Sequence, residues 1–283
     1  MESPAPSHHL RPRKAGGPVS ATAAQAGWRF LDFAVHELAA GQSTAVEHVG
    51  RELAIVPIAG TIVVEVGGAR LELSRDSVFS QGPQVLYCAP QDRVTVETVA
   101  GATFTTGGAP AEGRYPTRLF STEEMRVELR GGGSALRQVN HLLAAPLPAE
   151  RLILYEIVAP RGTWCGWPPH RHDGDGDSPY LEEVYYFRFD RPEGYAIHHN
   201  YSPESGLDEL FTPGDGDVVL VTEGYHTTVA APGTNMYFLN YLAGEPTGAD
   251  RARPPCFDAR HTWITSAWDA GSLELPTLPT KPG

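Results

Sequence analysis

The residues of this chain best suited to chemistry are three histidines and a carboxylate spaced along its second half. His170 and His172 stand at i and i+2 in Trp-Pro-Pro-His-Arg-His-Asp, a spacing that on a strand points both imidazoles to one face. Eleven residues after His172, Glu183 heads the strand-like run Leu-Glu-Glu-Val-Tyr-Tyr-Phe-Arg-Phe, and the polar loop between them lets a hairpin return it beside the histidines. Its neighbour Glu182 is the alternative carboxylate. His226 follows a further strand and a Glu-Gly turn. Three neutral imidazoles and one carboxylate make an N3O donor set for a single divalent transition metal: Zn²⁺ first, with Mn²⁺, Fe²⁺, Co²⁺ or Ni²⁺ also matched. In a six-coordinate ion two positions stay open for substrate.

The elements that must position these groups read as strands. Thirty glycines and 25 prolines punctuate short runs of Val, Leu, Ile, Tyr and Phe, with turns every 8 to 12 residues or so, which is the rhythm of a sandwich or barrel. Residues 52–68 predict two strands about a Pro-Ile-Ala-Gly turn, then a hairpin at Gly67-Gly68. In the second half Arg-Leu-Ile-Leu-Tyr-Glu-Ile-Val, the run headed by Glu183, Asp-Val-Val-Leu-Val and Met-Tyr-Phe-Leu-Asn-Tyr-Leu repeat the pattern. A glycine cluster after Arg130 and a Pro-containing stretch before Glu150 put the joint between two halves near residue 140. The expected organisation is a flexible arm over residues 1–25, an N-terminal domain over 26–140, a metal-binding domain over 141–270 and a Pro-rich tail over 271–283. In the arm, His8 and His9 are expected to be solvated. His48 and Glu52 are only a remnant of the donor set, so the first half is expected to be metal-free.

Charge and composition exclude several classes of function. The net charge of -12 disfavours nucleic acid and anionic membranes, although a local arginine cluster can still bind a small anion. No apolar run approaches the roughly 18 residues of a membrane span, and the first residues lack the apolar core of a secretory signal. Three scattered cysteines make neither a disulfide framework nor a thiolate zinc cluster, so a reducing cytoplasm is expected.

His-x-His, a strand-heading Glu, then Gly-x-His closing a later strand resembles the two motifs of the cupin superfamily. That resemblance implies an all-β bicupin, two jelly-roll-like β-barrel domains. From about Gly27 to Trp263 the chain is further similar to the 5-deoxy-glucuronate isomerases of inositol catabolism, through Arg-Glu-Leu-Ala-Ile-Val-Pro-Ile-Ala-Gly, Arg-Gly-Gly-Gly-Ser-Ala-Leu-Arg-Gln-Val-Asn-His, Trp-Pro-Pro-His-Arg-His-Asp and Glu-Gly-Tyr-His-Thr-Thr-Val-Ala-Ala-Pro-Gly. The match extends to Arg130, Gly131, Arg137, Tyr185, Tyr186, Arg188, Tyr225 and Asn240. It departs at Cys165, Gly166 and Trp167, at Thr227, and in the Ile-His-His-Asn-Tyr segment, all near the metal motif.

The resemblance implies a metal-dependent aldose–ketose isomerase converting 5-deoxy-glucuronate to 5-dehydro-2-deoxy-gluconate. The alternatives are an isomerase of a related sugar acid and a cupin dioxygenase using the same donor set. It places the metal on His170, His172, Glu183 and His226. Tyr185, Tyr225 and Glu223 are the candidates for proton transfer. Arg188, Arg137 and Arg130 are the candidates for the substrate carboxylate, since a guanidinium pairs with it in two-pronged fashion. Strand alternation, however, turns Arg188 and Tyr186 away from the face that Glu183 and Tyr185 share. One of His198 and His199 must point inward, and His199 is taken as a substrate contact. Edge-strand pairing among cupins implies a homodimer.

Overall fold

A computed structural model describes residues 7–12 and 19–268. The chain is all-β, and its strands form three curled sheets. A nine-stranded sheet holds the N-terminal half, while a seven-stranded and a five-stranded sheet enclose the second half. The Pro-rich tail expected over 271–283 lies outside the described residues.

Three apolar clusters explain this layering. One fills the N-terminal barrel around Leu53, Ile55, Ile62, Val64, Leu86 and Phe104. A second fills the C-terminal barrel around Val139, Ile157, Tyr185, Phe187, Val219 and Phe238. The third joins the halves, packing Phe33, Ala54 and Val56 against Val184, Tyr186, Leu239 and Tyr241. The strand Leu181–Phe189 is therefore covered on both faces: odd positions enter the C-terminal barrel and even positions meet the N-terminal half. This double burial is why its sequence runs almost uniformly apolar instead of alternating. Gly107 allows the close approach, because a Cβ there would stand 2.2 Å from the Tyr241 ring.

Several expectations about boundaries are corrected. Arg51–Val66 is one continuous strand of 16 residues, not two, with a bulge between Pro57 and Ala59 that absorbs the expected turn. The Gly67-Gly68 hairpin is present, pairing Val66 with Ala69. The strands on either side of the expected joint belong to one sheet. Arg126–Arg130 and Arg137–His141 pair with each other, and the latter continues onto Ile153–Ala159 in the C-terminal sheet. The glycine cluster is a turn between two strands of one sheet. The first 25 residues are not simply a flexible arm either. His9–Leu10 pairs with Val218 and Val219 at the sheet edge, and Ala23–Ala26 is a helical turn with a Thr22/Gln25 capping box. His9 Nε2 lies 2.8 Å from Asp217 Oδ2 and His8 Nδ1 2.9 Å from Glu209 Oε2, so both arm histidines have carboxylate partners.

Candidate metal centre

The four expected ligands converge inside the C-terminal barrel. His170 lies on the strand Trp164–Arg171 and His172 directly follows it; the strand pairs with Tyr225–Ala230 so that His170 faces His226. Gly166, at φ +62°, serves an irregularity in this pairing, and a Cβ there would stand 3.4 Å from the His170 ring. The metal-capable nitrogens of His170, His172 and His226 all lie within 4.8 Å of one another. Glu183 arrives from the opposite sheet, its Oε2 standing 2.8 Å from His172 Nε2 and 3.2 Å from His226 Nε2. Glu182 points the other way, accepting backbone N–H groups from Arg29, Phe30 and Leu31, which leaves Glu183 as the carboxylate of the set.

Hydrogen bonding shows that these donors fit a cation. His226 is fully buried; among the described residues neither of its ring nitrogens makes a well-formed hydrogen bond, Nε2 having only the Glu183 contact at 3.2 Å. A buried imidazole in that state needs a partner, and a metal ion is one that accepts its lone pair. His172 donates from Nδ1 to the Leu181 carbonyl at 2.8 Å, which fixes the ring and turns Nε2 toward Glu183.

Burial and the contacts with Glu183 set the charge of each donor. Burial, with the neighbouring His226 and His172, holds His170 well below its ordinary value, so it is a neutral imidazole. Burial likewise lowers His226, outweighing its contact with Glu183. In His172 burial pulls down, but the Glu183 hydrogen bond prevails and raises it. Burial alone would push Glu183 up; the His172 and His226 contacts reverse this and keep it ionised.

The donors open onto a cavity of about 160 Å³ lined by Arg130, Arg137, Tyr155, Tyr185, Asn240 and Arg253, among others. Arg137 is 7% exposed and donates to the Ala135 carbonyl at 3.0 Å, yet among the described residues it has no carboxylate partner. Burial lowers its pKa from the ordinary guanidinium value, the mark of a cation without its counter-charge. Arg130 is half-exposed and held by Glu128 at 2.9 Å.

Four other expected residues do not reach this cavity, and strand alternation accounts for most of the corrections. Arg188 shares the face of Glu182, packs toward the N-terminal half and pairs with Asp215 at 2.8 Å. His199 lies on the outer face, 2.7 Å from Asp208, while His198 points inward with its ring parallel to His226 at 6.4 Å. Tyr225 immediately precedes His226 and so faces outward, under the Arg171 guanidinium and against Tyr201. Glu223 sits in the turn and accepts a hydrogen bond from Ser205. Tyr185 is the proton-transfer candidate that does line the cavity, its ring 5.7 Å from that of His226. The sequence reading assigned nothing to Tyr155, although parity with Ile153 and Ile157 on one strand would have placed it on the cavity face.

A family model described as the KduI/IolB family matches residues 8–264. The chain belongs to the KduI/IolB family. Relatives include the 5-deoxy-glucuronate isomerase of Geobacillus kaustophilus, 34% identical over 84% of this chain and 88% of that protein. That of Bacillus subtilis strain 168 is 33% identical over 83% and 88%. The crystal structure of an IolB-like protein from Salmonella typhimurium LT2 superposes with a TM-score of 0.85 at 30% identity, covering 90% of this chain and 98% of that one. The oxalate decarboxylase of Lactobacillus farciminis, at 10% identity and a TM-score of 0.60 over 91% and 87%, shares the fold alone. Bicupin architecture and membership of the KduI/IolB family thus rest on separate comparisons. No helix among the described residues is long and apolar enough to cross a membrane.

Proposed function

We propose that this KduI/IolB-family chain is a metal-dependent aldose–ketose isomerase that converts 5-deoxy-glucuronate to 5-dehydro-2-deoxy-gluconate. The observation that carries the reading is the juxtaposition of a buried N3O donor set with a buried guanidinium that has no carboxylate partner among the described residues, in one cavity. A sugar acid presents the complementary pair of features, a chelating carbonyl and hydroxyl at one end and a carboxylate at the other. The relatives named above carry this activity in their names.

His170, His172, Glu183 and His226 would hold the ion, with Zn²⁺ the first choice for three imidazoles and a carboxylate. When bound, such an ion supplies Lewis-acid stabilisation of the negative charge that develops on the carbonyl oxygen. The protein's own contribution is orientation. Arg137 grips the carboxylate through its free N–H groups, at a site where burial strengthens the pairing. The apolar walls of Ile153, Ile157, Phe238 and Leu242 exclude water around the reacting carbons.

The test is turnover of 5-deoxy-glucuronate by metal-quantified protein, followed by the appearance of the 2-ketose, beside His170→Ala and His226→Ala. Turnover that is lost together with bound metal in both variants supports the reading. Metal-loaded protein that leaves the sugar acid unchanged overturns it.

A further inference from the structure

Three neighbouring strands carry a polar row across the cavity wall. Tyr155, Asn240 and Tyr185 are direct cross-strand neighbours, Tyr155 opposite Asn240 and Asn240 opposite Tyr185. Ile153, Leu242 and Glu183 form the next row on the same face. The polar row stands one pleat repeat, about 7 Å, from the row of Glu183, with Tyr155 two strands across from Glu183 itself, and all three of its side chains line the cavity.

The three side chains differ in what they have left to offer. Asn240 spends an N–H on the Val184 carbonyl at 3.2 Å. Tyr185, like Tyr155, has no hydroxyl partner among the described residues, but it is 4% exposed, with rings of His198, Phe238 and His226 against it. Tyr155 is half-buried: its ring is held edge-on to His141 at 5.1 Å and packed against Ile153 and Leu242, yet its hydroxyl has no hydrogen-bond partner among the described residues. A fixed ring with an uncommitted hydroxyl at a cavity wall is arranged for a ligand oxygen.

We propose that Tyr155 is the proton-carrying hydroxyl of the isomerisation, placed against the two substrate oxygens that exchange roles. The inference rests on the isomerase reading. In any aldose-to-ketose conversion one proton must leave the C2 hydroxyl and one must arrive on the C1 oxygen, whether the carbon-bound hydrogen moves as a proton or as a hydride. Tyr155 serves both needs. Its O–H bond breaks as the proton passes to the C1 oxygen, and the resulting phenolate takes the proton of the C2 hydroxyl as the C2 carbonyl forms. The phenol is regenerated, and no oxidant or reductant enters. Burial raises the phenol above its ordinary value, so it begins the cycle protonated.

The test compares wild type with Tyr155→Phe, which keeps the ring and its packing. Bound metal, thermal midpoint, kcat and KM for 5-deoxy-glucuronate are measured on both. The expected result is unchanged metal content and midpoint, KM within about threefold, and kcat lower by roughly 10²- to 10⁴-fold, the range for loss of a positioned acid–base group. An active wild type matched in kcat by Tyr155→Phe overturns the proposal, as does a variant whose only defect is in KM. A wild type inert toward the sugar acid is a different failure, overturning the isomerase reading and this role with it.

Discussion

Glu52 and Glu182 do the same work in opposite directions across the joint between the two halves. Glu52, from the N-terminal half, accepts the backbone N–H groups of Glu150, Arg151 and Leu152 together with the Tyr87 hydroxyl. Glu182, from the C-terminal half, accepts those of Arg29, Phe30 and Leu31 together with the Tyr180 hydroxyl. Each barrel thus reaches into the other and satisfies three successive main-chain donors just before the other half's next strand begins. With Arg75 and Glu156 paired at 2.9 Å and both 1% exposed, this makes the joint a rigid interior.

Loss of one clamp is expected to destabilise the whole molecule. Glu52→Ala removes a buried acceptor and leaves three backbone N–H groups to find new partners, at about 1–3 kcal/mol for each one left unsatisfied. The expected loss is about 3–5 kcal/mol, read from the urea midpoint. Glu182→Ala should cost a similar amount. A variant within about 0.5 kcal/mol of wild type would show that the clamp contributes nothing to stability.

Arg137 separates stability from function. A buried guanidinium without a counter-charge is an energetic liability in the free protein, so Arg137→Met, which retains the stem's bulk, is expected to be as stable as wild type or more so. The same variant should raise KM for the sugar acid by roughly 10- to 1000-fold, since a charge-assisted hydrogen bond to a carboxylate contributes about 1.5–3 kcal/mol and pairing in a buried site adds to it. Arg188→Met and His199→Ala, which lie off the cavity, should leave KM unchanged. Steady-state kinetics and thermal midpoints on the three variants check this.

The convergence of the four candidate metal donors was legible because each one carries its own local signal. An i, i+2 pair shares a face, a carboxylate heads a strand, and a histidine closes a turn, so strand parity alone aims them inward. The same parity had already spoken against Arg188, and it explains the outward position of Tyr225. What was not legible depends on contacts far apart in sequence. Nothing around Glu52 or Glu182 announces that its partners lie roughly 100 to 150 residues away. A tyrosine within Ile-Leu-Tyr-Glu-Ile-Val is indistinguishable from core until the neighbouring strands show that Asn240 and Tyr185 stand beside it. The glycines after Arg130 read as a linker because turn chemistry within a sheet and turn chemistry between domains use the same residues.

Metal removal should act on folding as well as on activity. A ligand that binds only the native state adds RT ln(1 + [L]/Kd) to stability, about 4 kcal/mol at a thousandfold excess over Kd. Dialysis against a chelator is therefore expected to lower the thermal midpoint of wild type, and restoring the metal should recover it. His226→Ala should show little response to either treatment. Equal responses in variant and wild type would place the ion elsewhere.

His36 predicts a pH dependence that is separate from the metal centre. It stacks on Phe104 at 4.6 Å in the N-terminal half, its Nε2 lies 2.9 Å from Thr106 Oγ1, and burial lowers its pKa to about 4. The unfolded chain binds this proton near the ordinary value of about 6.5. Between those two values the unfolded state holds more protons than the native one, so the His36 contribution is full above about pH 6.5. It is lost as pH falls toward 4, by at most about 3 kcal/mol. Urea titrations of wild type and His36→Gln at pH 7 and 4.5 should show the steeper loss in wild type, because glutamine cannot take up the proton. Parallel losses in the two proteins would mean that His36 is already charged in the native fold.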